Sequence, residues 1–346
     1  MYSLLRSIIF KLDPELSHNL AIKSLKLNYS PLKNIIIDSS IETNFFEKKI
    51  NNPIGIAAGF DKNAEVYNPL YKLGFGFVEV GTVTPKQQYG NPKPRVFRLE
   101  EDKALINRLG FNNSGSDVIS SRINSHPPNG VLGINIGPNM SSTNKLEDYL
   151  ICLRKFHKLC DYLTINISSP NTENLRNFHN KSELDQLLKT IQEEKKILKS
   201  KVLIALKISP DIEEKNISTI SELLLKYEVD IIIISNSSDQ NRNNLKNINK
   251  LEKGGLSGKP LEKKSNILIN KFYKILNNRV KIIGVGGVDS GRSAYEKIIN
   301  GATLVQLYTG MIYKGPNIVS NISEELINIL KSEGMKNISE AIGIKN

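Results

Sequence analysis

The segment VLIALKISPDIEEKNISTISELLLKYEVDIIIISNSS (residues 202–238) contains the clearest pattern of secondary structure in the chain. It holds two apolar, β-branched-rich runs of strand length, Val202–Ile208 and Asp230–Ser235. Between them lies Ser218–Tyr227, whose apolar residues recur at helical spacing. Strand, helix and strand in this order indicate a βαβ unit, because parallel strands need a long crossover connection.

The same alternation continues along the chain in both directions. Six further runs bring the total to eight: Ile54–Ala58, Phe77–Val80, Val131–Ile136, Tyr162–Ile167, Lys281–Val285 and Leu304–Leu307. Most neighbouring runs are separated by a segment long enough to form a helix, such as Ser182–Leu198. Eight strands alternating with helices predict an α/β protein, a (β/α)8 TIM barrel with a small N-terminal two-helix extension. A doubly wound open sheet competes, but no G-x-G-x-x-G follows the first strand.

Length and composition suit one barrel with an extension. The 346 residues are 39% hydrophobic and 24% charged, which is enough to bury a full core. The net charge is +12, but its lysines are spread along the chain. We therefore predict no nucleic-acid partner, and we infer no protein partner. Cys152 and Cys160 form no CxxC motif and the histidines have no ligand spacing, so no metal site is predicted.

Residues 1–33 are predicted to form two short helices, with an apolar face and a basic polar side. Pro14 restarts the helix and Asp13 is its predicted N-cap. Such a pair suits a membrane interface or a cap packed on the barrel, and the pattern alone favours the cap. No run reaches the about 18 apolar residues of a membrane span. Residues 34–50 are interpreted as a linker and 51–346 as the barrel.

The carboxyl ends of the predicted strands carry mostly Asn, Ser, Thr, Lys and Gly, and these ends hold the catalytic residues in this fold. The ends comprise residues 57–62, 81–82, 135, 166–171, 207, 235–237, 284–287 and 308–310. They include no carboxylate pair and no Ser-His-Asp series, which argues against hydrolysis. The set suits a planar, polar, heteroaromatic ligand, with lysines for its anionic groups.

The glycines at 284–287 and Thr309 predict a site for one phosphate. The loops after strands seven and eight often bind phosphate in this fold, and glycines allow close approach of backbone N–H groups. FMN, one per chain, fits best, because it combines a planar ring with one terminal phosphate. Lys207 lies in an apolar strand, so it needs a negative partner. That partner is either the reduced flavin or a structural carboxylate such as Asp211.

Seven motifs occur in order along the chain. They are AAGFDKN (57–63), GNPKPR (90–95) with FRL (97–99), NRLGFNN (107–113), NISSPNT (166–172), GLSG (255–258), GGVDS (286–290) and YTG (308–310). Together with LDPE (12–15) and His18, they closely resemble the class 2, membrane-associated, quinone-reducing dihydroorotate dehydrogenases. The resemblance covers essentially the whole chain.

The resemblance implies three sets of site residues. The implied FMN shell is Ala58, Gly59, Phe60, Asp61, Lys62, Thr82, Asn135, Asn166, Lys207, Ser235, Gly258, Gly287, Tyr308 and Thr309. The implied substrate ligands are Lys62, Asn107, Arg108, Leu109, Gly110, Phe111, Asn166, Asn171, Asn236 and Ser237. The implied quinone tunnel passes His18, Arg98 and Tyr308.

Ser169 stands where these enzymes have the catalytic base, whereas class 1 relatives have Cys there and lack the N-terminal helices. The implied reaction oxidises (S)-dihydroorotate to orotate in the de novo synthesis of pyrimidines (UMP). Ser169 would take the C5 proton and FMN the hydride, with Thr172 as a candidate relay for that proton. A membrane quinone would then accept the electrons. The resemblance also makes residues 1–33 a quinone-access segment of a peripheral protein on the cytoplasmic face of a bacterial cell membrane.

The chain departs from the family pattern after Thr172, where Glu173-Asn174 replace Pro-Gly and change the turn chemistry. Ser235 and Ser237 replace threonines and keep the hydroxyl. Other functions stay open: another FMN-dependent barrel reductase of pyrimidines, class 1-like acceptor use, an isomerase or aldolase barrel, or a non-enzymatic basic binding protein. The pyrimidine reductases would need a cysteine near the flavin, and an aldolase would use a lysine such as Lys207.

Overall fold

The computed structural model describes residues 2–27, 35–172 and 175–346. The substituted turn Glu173–Asn174 lies outside the described residues. So do residues 28–34, where the predicted extension meets the predicted linker.

Eight parallel strands form a closed barrel. They are β3 (Ile54–Ile56), β4 (Phe77–Val83), β7 (Val131–Ile136), β8 (Tyr162–Asn166), β9 (Leu203–Ile208), β10 (Ile231–Ile234), β12 (Lys281–Val285) and β13 (Leu304–Leu307). Their order around the barrel is β10-β12-β13-β3-β4-β7-β8-β9. The last strand pairs with the first, Leu307 beside Ile56. Every strand overlaps a predicted run, so the barrel prediction is confirmed and the open-sheet alternative is wrong.

The helices follow the strands as the βαβ pattern predicts. They are α1 (Tyr2–Ile9), α2 (Pro14–Lys26), α3 (Tyr67–Lys72), α4 (Ser116–Ser125), α5 (Lys145–Phe156), α6 (Lys181–Ile197), α7 (Lys215–Lys226), α8 (Glu262–Leu276), α9 (Gly291–Ile299), α10 (Thr309–Lys314) and α11 (Ile318–Ser332). In α7, Ile217, Ile220 and Leu224 recur at helical spacing and are buried. This buried face is why the segment folds as a helix against the barrel.

A hairpin of β1 (Thr43–Phe45) and β2 (Lys48–Ile50) closes the amino end of the barrel. Phe45 is 2% exposed, and its ring lies 5.2 Å from Tyr162 and 5.8 Å from Phe77 between centroids. Both of those rings belong to the barrel interior. The hairpin was not predicted, because each strand has only three residues and the second begins with two lysines.

A small antiparallel sheet stands beside the carboxyl end of the barrel. It consists of β5 (Val96–Leu99), β6 (Ala104–Asn107) and β11 (Gly255–Gly258), in the order β11-β6-β5. The buried Tyr313 hydroxyl donates to the backbone oxygens of Leu99 and Ala104, so it fixes the sheet to α10. The motifs at 97–99, 107–113 and 255–258 include parts of these strands. Their alternation of apolar and polar residues is too short to predict a strand from the sequence.

The N-terminal helices dock on this small sheet through two arginines. Asp13 is the predicted N-cap of α2 and accepts a hydrogen bond from the Leu16 backbone N–H at 2.9 Å. Arg98 donates to the backbone oxygens of Phe10 and Leu12 at the α1–α2 turn. The second arginine, Arg95, makes two hydrogen bonds to Glu15, at 2.8 and 3.0 Å.

Several apolar side chains of the extension remain exposed. They are Leu5, Ile8, Leu12, Leu16, Leu20 and Leu27, between 38% and 79% exposed. None of the described helices is long and apolar enough to cross a membrane.

The hairpin yields a stability test. We expect Phe45→Ala to lower the free energy of unfolding by about 3–5 kcal/mol, because it leaves a cavity in the closed end of the barrel. Phe46→Ala is the matched control, since that neighbouring ring is 37% exposed. Urea denaturation of both variants measures the difference. Equal losses would show that the hairpin is not part of the barrel core.

Candidate active site

A cleft opens at the carboxyl end of the barrel, between the strand ends and the small sheet. Its empty volume is about 1170 Å³, including the part open to solvent. Residues at the ends of seven barrel strands, all except β7, and residues of β5, β6 and β11 line it, together with the loop 109–112. A cleft of this kind, mainly apolar with a few convergent polar groups, is the usual form of a small-molecule site.

Most of the implied site residues meet in this cleft. Those that line it are Ala58, Gly59, Lys62, Thr82, Asn107, Leu109, Gly110, Phe111, Asn166, Ser169, Asn171, Lys207, Ser235, Asn236, Ser237, Gly258, Gly287, Tyr308 and Thr309. They come from positions spread between residues 58 and 309: barrel closure brings the strand ends together, and the small sheet adds Asn107, Gly258 and the loop after β6.

Six of the implied residues do not line the cleft. One of them, Asn135, lies directly below the cleft, and the other five are at its back, at its rim or on the extension. Phe60 is buried behind it, and the Asp61 carboxylate accepts hydrogen bonds from the backbone N–H groups of the loop before α3. Burial raises the pKa of Asp61. Arg108 lies at the rim, where it pairs with Glu252 at 2.7 Å. The remaining two, His18 and Arg98, belong to the extension and its docking surface.

The floor of the cleft is a network of buried amides. Asn135 does not line the cleft but lies directly below it. Its Oδ1 accepts from Thr82 Oγ1 at 2.6 Å and from Asn166 Nδ2 at 3.0 Å. Its Nδ2 donates to Glu79 Oε1 at 2.8 Å. These bonds fix the orientation of the Asn135 amide, so the Asn166 and Thr82 side chains above it are held in place.

The side chain of Lys207 extends from β9 into this floor, and the residue is 4% exposed. Its Nζ lies 3.7 Å from Glu79 Oε1. Lys207 is therefore paired with a structural carboxylate, as one of the two sequence interpretations expected, but that carboxylate is Glu79 and not Asp211. Asp211 instead pairs with Lys264 and Arg176 outside the barrel interior. The sequence did contain a signal for this pair, because Glu79 is an acidic residue within the otherwise apolar run Phe77–Val80.

Ser169 follows β8 and is 5% exposed. Its Oγ accepts a hydrogen bond from the Asn171 backbone N–H at 3.2 Å, which leaves the hydroxyl proton free to rotate. The adjacent Ser168 hydroxyl donates to Asn166 Oδ1 at 2.7 Å and accepts from Asn236 Nδ2 at 2.8 Å. The two successive serines thus differ in role. Ser168 fixes the orientation of the Asn166 and Asn236 amides, whereas Ser169 faces the cleft.

The loop 107–111 forms a wall of the cleft and is held from outside by the segment 88–95. Asn91 donates from its backbone N–H to Leu109 O at 3.0 Å, and Gln88 donates to Gly110 O at 2.9 Å. Gly110 has φ +73°, where a Cβ would lie 3.0 Å from the Asn91 side chain. Arg95 also donates to Asn91 O at 2.9 Å, so the salt bridge that docks the extension also braces this loop.

Lys62 connects the cleft to the N-terminal extension. Its Nζ lies 3.4 Å from His18 Nε2 on α2. Burial lowers the pKa of Lys62 to about 8, although Glu15 and Asp61 act in the opposite direction. Burial, and then the charge of Lys62, lowers the pKa of His18 to about 3, so His18 is neutral at ordinary pH.

The implied tunnel residues lie around one aromatic ring. The Phe60 ring is 5.4 Å from His18 and 6.3 Å from Tyr308 between centroids, edge-on to both. Tyr308 also lines the cleft, so Phe60 and Tyr308 form a continuous path of aromatic contacts from α2 to the cleft. Arg98 does not reach this ring, because its guanidinium stacks on Phe10 at 4.6 Å.

Glycines form one end of the cleft. Gly286 and Gly287 have φ of +109° and +80°, and a Cβ on Gly287 would lie 2.5 Å from Glu262 Cβ. In the part of the chain that the structure describes, the backbone N–H groups of these two glycines donate no hydrogen bond. Thr309 Oγ1 faces the same end and lies 2.9 Å from Ser257 Oγ. This end can therefore hold an anionic group.

Known proteins resemble this chain along nearly its whole length. A family model described as dihydroorotate dehydrogenase matches residues 40–330. The dihydroorotate dehydrogenase (quinone) of Bartonella tribocorum is 44% identical, over 97% of this chain and 94% of that protein. The mitochondrial dihydroorotate dehydrogenase (quinone) of Mus musculus is 42% identical, over 96% of this chain and 87% of that protein.

Solved structures agree with this result. The Eimeria tenella enzyme DHODH in complex with ferulenol superimposes with a TM-score of 0.93 at 37% sequence identity, over 96% of each chain. Its ligand-free form gives the same TM-score at 38% identity, over 96% of this chain and 99% of that one. Family model, sequence relatives and solved structures coincide over the barrel and its cleft, and the chain belongs to the dihydroorotate dehydrogenase family.

Proposed function

We propose that this protein is a flavoprotein oxidoreductase that oxidises (S)-dihydroorotate to orotate in pyrimidine biosynthesis, with FMN as its cofactor and a quinone as electron acceptor. One observation carries the proposal: Ser169, Lys62 and an amide-rich floor meet in one cleft with an end that accepts an anion. No carboxylate pair suited to hydrolysis accompanies them among the cleft-lining residues that the structure describes.

The cleft fits FMN. The free N–H groups of Gly286 and Gly287 suit its phosphate, since backbone amides approach phosphate closely where no Cβ intervenes. Lys207 and the amides of the floor suit the edge of its ring. When bound, FMN supplies the hydride acceptor that no side chain of the protein can provide.

The side chains of the chain would bind and orient the substrate. Lys62 offers a cation for the substrate carboxylate, and Asn107, Asn171 and Asn236 offer amides for the ring. Holding the substrate in a reactive orientation supplies much of the rate enhancement. Ser169 is the proposed base for the C5 proton. A serine hydroxyl is a weak base, so its proton must leave to water or to a neighbouring group.

The alternatives have less support. A pyrimidine reductase that uses a cysteine would need one in the cleft, but Cys152 and Cys160 lie on or after α5, and burial raises the pKa of both thiols. A Schiff-base aldolase would need a free lysine, but Lys207 is paired with Glu79.

The extension supports a membrane role. The exposed apolar residues of α1 and α2 adjoin basic side chains, as in helices that lie in a membrane interface. The path along His18, Phe60 and Tyr308 would bring a quinone from that interface towards the cleft. We therefore propose that residues 1–33 form the quinone-access segment of a peripheral protein on the cytoplasmic face of the cell membrane. Residues 34–50 would join it to the FMN-binding barrel.

Ser169→Ala tests the proposed base. We expect flavin reduction by dihydroorotate to slow by about 100- to 10,000-fold, the usual contribution of a positioned general base. Stopped-flow absorbance of the bound flavin measures this half-reaction. Thr172→Ala is the companion variant, and a comparable loss there would identify Thr172 as the relay. An unchanged rate in Ser169→Ala would exclude Ser169 as the base.

Lys62 predicts a pH dependence of ligand binding. Its pKa is lowered to about 8, mainly by burial, so the ammonium is present below that pH and is lost above it. We expect the Kd for orotate to be constant below pH 8 and to rise about tenfold per pH unit above it. Isothermal titration calorimetry measures this, with Lys62→Met as the variant that should bind weakly at every pH. A wild-type Kd that stays constant across pH 8 would contradict the assignment.

The extension predicts lipid binding. We expect Leu16→Glu with Leu20→Glu to abolish sedimentation with vesicles of zwitterionic and anionic lipid, because two charges would enter the interface. Oxidation of dihydroorotate with a soluble dye as acceptor should be retained. The matched control is Ile197→Glu with Ile275→Glu, two exposed residues at the opposite end of the barrel. Equal vesicle binding by both double variants would disprove the membrane proposal.

A further inference from the structure

Glu79 is a carboxylate with no exposed surface, in the middle of β4 and below the floor of the cleft. It does not line the cleft, so it cannot contact substrate. Burying an ionised carboxylate is costly unless it is both hydrogen-bonded and paired with a cation. A group of this kind within the barrel therefore calls for a physical explanation.

Its partners come from four different strands. Oε1 accepts from Asn135 Nδ2 at 2.8 Å and lies 3.7 Å from Lys207 Nζ. Oε2 accepts from Gln306 Nε2 at 2.9 Å and from the Tyr162 hydroxyl at 3.1 Å. The three hydrogen-bond partners all donate and the fourth partner is a cation, which is the pattern expected around an ionised carboxylate.

The charge of Glu79 is balanced locally. Within the described residues, Lys207 is its only cationic partner within 4.0 Å, and Glu79 is the only acidic partner of Lys207. The other titratable group in contact is Tyr162, whose pKa is raised first by burial and then by Glu79. Lys207 thus lies between a fixed anion below it and the cleft above it.

We propose that Glu79 is a positioning residue that keeps Lys207 protonated at the floor of the cleft, ready to face the negative charge of a reduced flavin. This inference rests on the proposed FMN cofactor. A charge that is already in place needs no reorganisation when the opposite charge develops. Without Glu79, Lys207 would be a buried lysine with no counter-charge, and such lysines lose their proton.

The inference predicts how many protons accompany flavin reduction. With Lys207 already protonated, reduction to the anionic flavin takes up two electrons and one proton, which goes to flavin N5. In Glu79→Gln, Lys207 begins as a neutral amine and takes up a second proton when the flavin becomes anionic. Each proton changes the reduction equilibrium tenfold per pH unit, or about 30 mV for a two-electron couple.

The experiment is spectroelectrochemical titration of the FMN-bound enzyme. It is restricted to about pH 6–7.5, because Lys62, the other lysine of the cleft, has a pKa of about 8. We expect a potential that falls by about 30 mV per pH unit in wild type and by about twice that in Glu79→Gln. Tyr162→Phe is the control, since it removes one hydrogen bond to the same carboxylate but no charge, and should keep the wild-type slope.

A second variant keeps the inference testable even if Glu79→Gln does not fold. Lys207→Met has no amine to titrate, so it should lower the potential and keep the wild-type slope. If Lys207 were neutral in wild type, the wild-type slope would be the steep one and Lys207→Met would halve it, which would overturn the inference. So would an unchanged slope in Glu79→Gln.

Failure of the inference is distinguishable from failure of the proposed function. A wild-type protein that binds FMN and oxidises dihydroorotate, but has the same slope with and without Glu79, leaves the function intact and removes the role of Glu79. A wild-type protein that binds no FMN removes both.

Discussion

Pairing of the last barrel strand with the first closes the parallel sheet and positions every other part of the site. The pairing of β13 with β3 brings the last strand beside the first, so all eight carboxyl ends meet at one rim. Residues as distant in sequence as Lys62, Ser169 and Thr309 then line one cleft. Because the strands are parallel, their carboxyl ends all lie on the same side of the barrel.

The barrel interior consists of two layers, one apolar and one polar. At the amino end, Phe45, Phe77 and Tyr162 form an apolar layer that the hairpin closes. Above it, Glu79 and the polar side chains around it form a buried layer under the cleft. The lower layer is stabilised mainly by packing of its aromatic rings. In the upper layer most buried donors and acceptors are hydrogen-bonded, although Gln306 Oε1 has no partner among the described residues, and the same bonds orient the groups that face a ligand.

The sequence predicted the eight strands well, because β-branched runs such as Ile231–Ile234 are suited to strands buried on both faces. It also predicted the N-cap Asp13 and, by resemblance, most of the residues that meet in the cleft. It did not predict the hairpin at 43–50 or the small sheet, whose strands of three or four residues are too short for a reliable period. The motif at 107–113 was recognised without its place on that sheet.

The type and order of the elements and the chemistry of the strand ends follow from the amino-acid sequence, since hydrophobic period and residue type are local properties. The pairing of buried charges follows only from the folded barrel. Lys207 was expected to pair with a flavin or with a structural carboxylate such as Asp211, four residues away, but its carboxylate is Glu79 on a strand more than a hundred residues earlier. Ion pairs depend on distance in space, and the curvature of the closed barrel sets that distance.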